Sequence, residues 1–315
     1  MNVLITGGTG NLGSRLAIPL VQRGDRVVAF DIRSEPHFDS AEFRQVQVVV
    51  GDLADRQRVL GVVREHKIET IFHLGAVLSS SAEENPYDAW RANMDGMVNV
   101  VDAARFGDAR RVVFSSTIAT YGSHLPKQLT EDAPQWPVSL YGVTKVAGER
   151  LGVYYQQQFG LDFRAIRLPA VIAARGSGGG ASAYVSAAFE QSVFKGGYEF
   201  YVNPTTRAPM LYIADAVRGF LDLHDAPVKN LSRRVYNIAG IAPSAEELAQ
   251  AIRAHLPKVD LTYRPDPLKC AIVESWPHRI DDSAARKDWG WESTWNLERT
   301  TTEVIEVLRH ELASK

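Results

Sequence analysis

Short β-branched runs and segments of helical apolar spacing alternate through the first half of the chain. The runs at Asn2–Thr6, Arg26–Phe30, Val46–Val50, Thr70–Leu74 and Arg111–Ser115 predict strands, and the spacing predicts helices near Asn11–Arg23, Arg56–His66 and Tyr87–Phe106. Uninterrupted apolar triplets such as Val48-Val49-Val50 suit a sheet covered on both faces. The alternation predicts βαβ units and an α/β, doubly wound (Rossmann-type) parallel sheet. Pro19 falls inside the first helix, where a bend or early distortion is expected. A further helix is predicted over Leu140–Gln158 and a strand over Phe163–Leu168.

After Pro169 the texture changes. A glycine-rich stretch, Arg175-Gly176-Ser177-Gly178-Gly179-Gly180, precedes a helical pattern near Ala183–Phe194. Strands at Val235–Ile238 and Leu261–Tyr263 then mix with helices near Ser244–His255 and Leu297–Leu312. The expected division is a dinucleotide-binding core from residues 1–168 plus about 204–240. A smaller C-terminal substrate lobe would come from about 169–203 and 241–315 and close over the C-terminal edge of the sheet.

Composition narrows the function classes. The 315 residues are 45% hydrophobic and 23% charged, ordinary for a globular chain able to bury roughly 75% of its unfolded surface. A net charge of −2 gives no electrostatic case for nucleic acid or an anionic membrane as partner. No apolar run approaches the roughly eighteen residues of a membrane span, and the N-terminus reads as a strand rather than a secretion signal. A cytoplasmic location is the resulting expectation. The single cysteine, Cys270, can form no internal disulfide and has no metal-ligand company, so no metal is expected.

Gly7-Gly8-Thr9-Gly10-Asn11-Leu12-Gly13 sits between the first strand and the first helix. Glycines at 7, 10 and 13 permit a tight turn, close backbone approach to a pyrophosphate and close helix–strand packing, and the helix start offers free N–H groups to phosphates. Asp31 ends the second strand about twenty residues on, where a carboxylate can accept from ribose hydroxyls and repel a 2′-phosphate. That favours NAD over NADP, although the neighbouring Arg33 could accept a phosphate. Asp52 and Leu53, after the third strand, are placed to meet the adenine.

Tyr141 and Lys145 lie four apart on a predicted helix and so share a face. A phenol is a poor base at neutral pH until a nearby cation favours the phenolate. Ser115-Ser116-Thr117 ends the preceding strand at the edge where α/β ligands bind, so the Thr117 hydroxyl can hold a substrate oxygen.

Taken together, the Gly7–Gly13 turn, Asp31, Asp52-Leu53, His73-Leu74-Gly75-Ala76, Asn93, Ser115-Ser116-Thr117 and Tyr141-x-x-x-Lys145 resemble the extended short-chain dehydrogenase/reductase superfamily. The resemblance implies an NAD-dependent oxidoreductase acting on CH–OH. Tyr141 would be its acid/base, Lys145 the partner, Thr117 the polarising hydroxyl and Asn93 a support of the hydrogen-bond chain. Cofactor contacts are implied for Gly7, Gly10, Asn11, Leu12, Gly13, Asp31, Arg33, Asp52, Leu53, Leu74, Ala76, Tyr141 and Lys145. His73 reads as a packing residue.

Within the superfamily the chain is most similar to the short-chain L-threonine 3-dehydrogenase family. The likeness rests on Asp31-Ile32-Arg33, Val77-Leu78-Ser79, Tyr141 through Glu149, Gly178-Gly179-Gly180, Asn203 through Met210, Pro243 through Leu248, Ser275-Trp276-Pro277 and Ile280 through Trp291. It implies oxidation of the secondary hydroxyl of a small 3-hydroxy acid, L-threonine foremost, to 2-amino-3-oxobutanoate. Ser79, Thr117, Tyr141, Gly180, Ser182 and Trp276 would touch that small-molecule substrate, and a homodimer would form through the helices near Tyr87–Phe106 and Leu140–Gln158. One departure stands out: where the family typically has Thr-Thr-Asp-Tyr after the glycines, this chain has Ala181-Ser182-Ala183-Tyr184. Loss of a hydrogen bond to a charged group weakens binding roughly 10- to 100-fold. The alternatives are therefore a dehydrogenase of a short hydroxy acid or aldonate without the amino group, and a nucleotide-sugar epimerase or dehydratase.

Overall fold

In the computed structural model the first strand, β1 (Asn2–Thr6), lies inside its sheet. Parallel to it on one flank run β2 (Arg26–Asp31) and β3 (Gln47–Val50); on the other run β4 (Thr70–His73), β5 (Arg111–Thr117) and β6 (Asp162–Leu168). A seventh strand, Val235–Asn237, adds to β6 to give the order β3-β2-β1-β4-β5-β6-Val235–Asn237. The chain changes direction across the sheet between β1 and β4, and a crevice opens at their C-terminal ends. The structure describes residues 1–315 except 124, 127–128, 177–181, 278 and 314–315. Gly180 thus lies outside the described residues.

Helices cover both faces, which is why the strands can be continuously apolar. On one side α1 (Asn11–Gln22) buries Leu16, Ala17 and Leu20 against Val3, Ile5, Val27 and Ala29. On the other, α2 (Arg56–Glu65) closes over Leu4, Val28 and Phe30 together with residues of the segment ending at Phe106. The distortion expected at Pro19 does not interrupt α1, which runs on to Gln22. Pro19 lacks the N–H that the Arg15 carbonyl would accept, and only three helical residues follow it.

The single helix expected over Tyr87–Phe106 is three pieces. A short helix α3 (Ser79–Glu84) precedes α4 (Pro86–Trp90), a π-helical turn spans Arg91–Asp95, and α5 (Gly96–Phe106) completes the run. The wide turn carries Asn93, a buried residue whose side chain is used below. Helix α6 (Leu140–Phe159) starts from Ser139, whose hydroxyl accepts from the Gly142 N–H, and ends at Gly160 in the left-handed region.

Beyond β6 the chain builds a further core. Strand β7 (Ala170–Ile172) is followed by α7 (Tyr184–Lys195), then by strands β8 (Gly197–Phe200) and β9 (Met210–Tyr212) in succession and α8 (Ile213–Asp225). After the sheet's last strand, β10 (Val235–Asn237), come α9 (Ala245–His255), β11 (Asp260–Tyr263), α10 (Pro267–Glu274), α11 (Ser283–Trp289) and α12 (Leu297–Ala313). Phe189, Phe200, Leu248, Ile252, Val273, Val304 and Leu308 form its centre. Helix α8 instead returns to the sheet, burying Ala216, Phe220 and Leu223, and Ala285 and Trp291 pack there with it. The pairings β7–β9 and β8–β11 are short and parallel.

Candidate active site

The turn after β1 is closed by its backbone. Gly7 adopts φ +67°, and its N–H donates to the Phe30 carbonyl at 2.9 Å. A Cβ on Gly7 would come within 2.7 Å of Gly75, and one on Gly13 within 2.2 Å of the Gly7 carbonyl. No side chain could fit at either position without moving main chain. Gly10 precedes α1 and supplies no side-chain cap, so the first N–H groups of that helix face the crevice without a protein partner at the N-cap. This cradle suits a diphosphate. Asp31 ends β2, where its carboxylate accepts from the Thr9 N–H at 3.1 Å and the Arg33 N–H at 3.4 Å. The Arg33 side chain is exposed.

Across the crevice, Leu53 fills the space beside Gly75 and Gly96, and Asp52 accepts from the Ala54 N–H at 2.9 Å. Leu74 continues β4 with its N–H on the Thr6 carbonyl, and Ala76 follows Gly75 toward Val77. His73 is buried, bonded to the Thr6 hydroxyl at 2.7 Å and stacked on Phe114. Burial, with Lys145 nearby, pushes its imidazole down to about 3, so it is neutral. Asn11 donates to the Arg175 carbonyl at 2.8 Å, joining the turn to the residue ahead of the glycine-rich stretch.

Tyr141 and Lys145 open α6 beside the end of β5. The Lys145 ammonium donates to the Ser115 carbonyl at 2.7 Å and lies 4.6 Å from the Phe114 ring centre and 5.5 Å from that of Tyr141. Burial lowers Lys145 to about 7 and raises Tyr141 above its ordinary value. Each charged form is disfavoured alone; together a phenolate and an ammonium relieve one another. Asn93 accepts from the Val77 N–H at 2.7 Å and donates to the Val77 carbonyl and the Thr144 hydroxyl, so it ties the loop before Ser79 to the middle of the Tyr141–Lys145 turn. Thr117 ends β5, and its oxygen accepts from the Ala119 N–H at 3.2 Å.

Trp276 bridges two apolar clusters, the second core and the small group of Ile118, Tyr121 and Leu129 just past Thr117. Ser182 sits in the turn before α7, which begins at Tyr184, one residue after the expected start near Ala183. Ser79 begins α3, and Leu78 before it provides no side-chain cap. The structure adds residues that spacing alone did not single out. Glu149, one turn beyond Lys145, forms a buried ion pair with Arg167 of β6 and accepts from Ser116. The i, i+4 step from Lys145 was the available signal.

The model of the NAD dependent epimerase/dehydratase family matches residues 3–239, taking in the sheet and Asn93, Thr117, Tyr141 and Lys145 but not Trp276. The chain belongs to that family. A relative named L-threonine 3-dehydrogenase, mitochondrial, from Bos taurus is 40% identical over 309 residues, covering 96% of this chain and 81% of that one. Among solved structures, L-threonine dehydrogenase from Clostridium difficile superposes with a TM-score of 0.92 at 32% identity, covering 98% of each chain. A monomeric L-threonine 3-dehydrogenase from a metagenome gives 0.91 at 33%, covering 98% of this chain and 99% of that one. Family membership carries NAD dependence and the α/β fold. No described helix is long and apolar enough to cross a membrane.

Proposed function

We propose that this chain is an NAD-dependent L-threonine 3-dehydrogenase, oxidising the C3 hydroxyl to give 2-amino-3-oxobutanoate. The carrying observation is the shared placement of Tyr141 and Lys145 on α6 beside Thr117 at the end of β5, in a chain similar along nearly its whole length to proteins of that name.

The dinucleotide would be held by the Gly7–Gly13 turn, with Asp31 on the ribose hydroxyls, Asp52 and Leu53 at the adenine, and Leu74 and Ala76 along the crevice. When bound it supplies a two-electron hydride acceptor. Asp31 supports NAD over NADP, since a carboxylate there repels a 2′-phosphate. Tyr141, as phenolate, would take the proton of the threonine hydroxyl while the C3 hydrogen leaves with its electron pair. Lys145, fixed by Ser115, would stabilise that phenolate and reach the nicotinamide ribose. Thr117 would hold the substrate oxygen, Asn93 would hold the Val77–Ser79 loop in place, and Ser79, Ser182 and Trp276 would bound the substrate.

We propose further that two copies associate through α4–α6. Tyr87, Trp90, Val98, Val143 and Tyr154 are exposed along this face, with Tyr87 at 76% and Tyr154 at 51%, a density of apolar groups that marks an interaction surface.

The test is NADH formation by the purified protein with threonine, allo-threonine, threonate and erythronate, and with UDP-sugars as a control. Threonine should give the highest kcat/KM and Tyr141→Phe should remove it. A preference for threonate or erythronate would move the substrate to an acid without the amino group. No NADH with any hydroxy acid would sink the proposal.

A further inference from the structure

Below the Tyr141–Lys145 couple lies a charged pair that its reading does not use. Glu149 and Arg167 are fully enclosed, with side chains 1% and 2% exposed. Both carboxylate oxygens are occupied: one accepts from Arg167 Nε at 2.8 Å and from the Ser116 hydroxyl, the other from Arg167 Nη2 at 2.7 Å and Gln135 Nε2 at 3.0 Å. Arg167 Nη1 reaches the Glu131 carbonyl at 2.9 Å and the Tyr121 hydroxyl, which in turn donates to Asn237 at 2.7 Å. Ser116 stands between Ser115, which holds the Lys145 ammonium, and Thr117. The pair therefore grips α6, β5 and β6 at the point where the proposed reacting groups meet.

A buried ion pair often contributes no more stability than well-packed apolar residues of the same volume. Stability alone does not explain a pair placed one helical turn from Lys145. We propose that Glu149 and Arg167 are positioning residues whose paired charges fix the electrostatic balance under Tyr141 and Lys145. This rests on the reading of those two residues as the proton-handling couple.

Among the described residues, the charged and titratable groups around Lys145 are few. Glu149 faces it from its own helix, His73 from β4 is neutral, and Arg167 lies on β6 behind Glu149. Farther out are Glu131 and Arg233, paired at 3.5 Å, and Tyr121, which burial pushes up to about 12. With both members present the pair is neutral overall. Neutralising Glu149 exposes the couple to an unbalanced cation, which favours the phenolate. Neutralising Arg167 leaves an unbalanced anion, which disfavours it. A pair that serves packing alone predicts no such opposition.

The experiment is the pH dependence of kcat/KM for threonine at saturating NAD, compared across wild type, Glu149→Gln, Arg167→Met and the double variant. The acid limb should move to lower pH in Glu149→Gln and to higher pH in Arg167→Met, each changing the relative rate on the limb about 3- to 10-fold. The double variant should return toward wild type. Should Arg167→Met not fold, Gln135→Lys provides a second readout from a half-buried site: a cation on the outer carboxylate oxygen should move the limb in the same direction as Glu149→Gln. Shifts of the same sign in the two single variants, or an unmoved limb in both Glu149→Gln and Gln135→Lys, would overturn the inference. A fully active Tyr141→Phe would instead remove the proton-handling reading itself, so the two failures are distinguishable.

Discussion

Lys145 donates to the Ser115 carbonyl at 2.7 Å, so its ammonium is anchored to the strand and not to the tyrosine it accompanies on α6. The strand end thus fixes where the cation sits before any ligand arrives. Lys145→Met keeps most of the length of the side chain and removes the charge. It should lower kcat/KM about 10²- to 10⁴-fold, the usual worth of a general acid–base arrangement, with the circular dichroism spectrum unchanged. Retained activity would mean that Tyr141 needs no cation.

Asp31 offers a second test. Asp31→Ser removes the carboxylate that accepts from Thr9 and is proposed to hold the ribose hydroxyls. KM for NAD should rise roughly 10- to 100-fold, the worth of a hydrogen bond to a charged group, while activity with NADP improves. Unaltered cofactor preference in steady-state kinetics would take Asp31 out of the cofactor site.

Gly13→Ala tests the cradle. The added methyl would meet the Gly7 carbonyl at 2.2 Å, and backbone cannot swing aside as a side chain can. Binding of NAD, followed by calorimetry, should weaken by at least tenfold. Gly24→Ala is no matched control, since Gly24 has φ +87° and would be strained for a different reason.

Acid stability follows from two buried histidines. Burial lowers both His73 and His224 to about 3, from an unfolded value near 6.5. The unfolded chain therefore takes up protons in that interval that the folded chain does not. Their contribution is fully present above about pH 6.5 and is lost as pH falls toward 3, at up to about 1.4 kcal/mol per pH unit for each histidine. Urea midpoints should fall through this window, and His73→Asn should flatten the fall. A slope identical to wild type would show that His73 is not buried neutral.

Sedimentation velocity tests the proposed dimer. Tyr154→Lys, at a half-exposed site on α6, should shift a dimer toward monomer. A wild-type monomer at all concentrations would place this chain with the relative named monomeric.

The sheet was legible because its inner strands are buried on both faces, and the apolar runs end at Asp31, Gly51 and His73 within a residue or two of the observed limits. The Val48–Val50 run expected to be covered belongs instead to the edge strand β3, where Val50 is 52% exposed. Helix α8 was missed, although Ile213, Ala216, Phe220 and Leu223 recur at helical spacing. Strands β7 and β9 have three residues each, too few for any period to register. In the site, i, i+4 spacing identified Tyr141 with Lys145 because both lie on one helix. The Glu149–Arg167 pair was hidden because its partners come from α6 and β6, joined only by the sheet register that sets Ser116 against Arg167.

The π-helical turn at Arg91–Asp95 has a consequence for any redesign of this scaffold. It stores one surplus residue between α4 and α5, and a regular helix advances about 100° per residue. Trimming a single amino acid there would straighten the run yet leave Tyr87 and Trp90 in nearly the same phase relative to α5, because the wide turn already absorbs the surplus rotation. The casualty would be inside, where Asn93 is presented to Val77 by the wide turn, so the surplus residue serves the inner loop while the outer apolar face is indifferent to it.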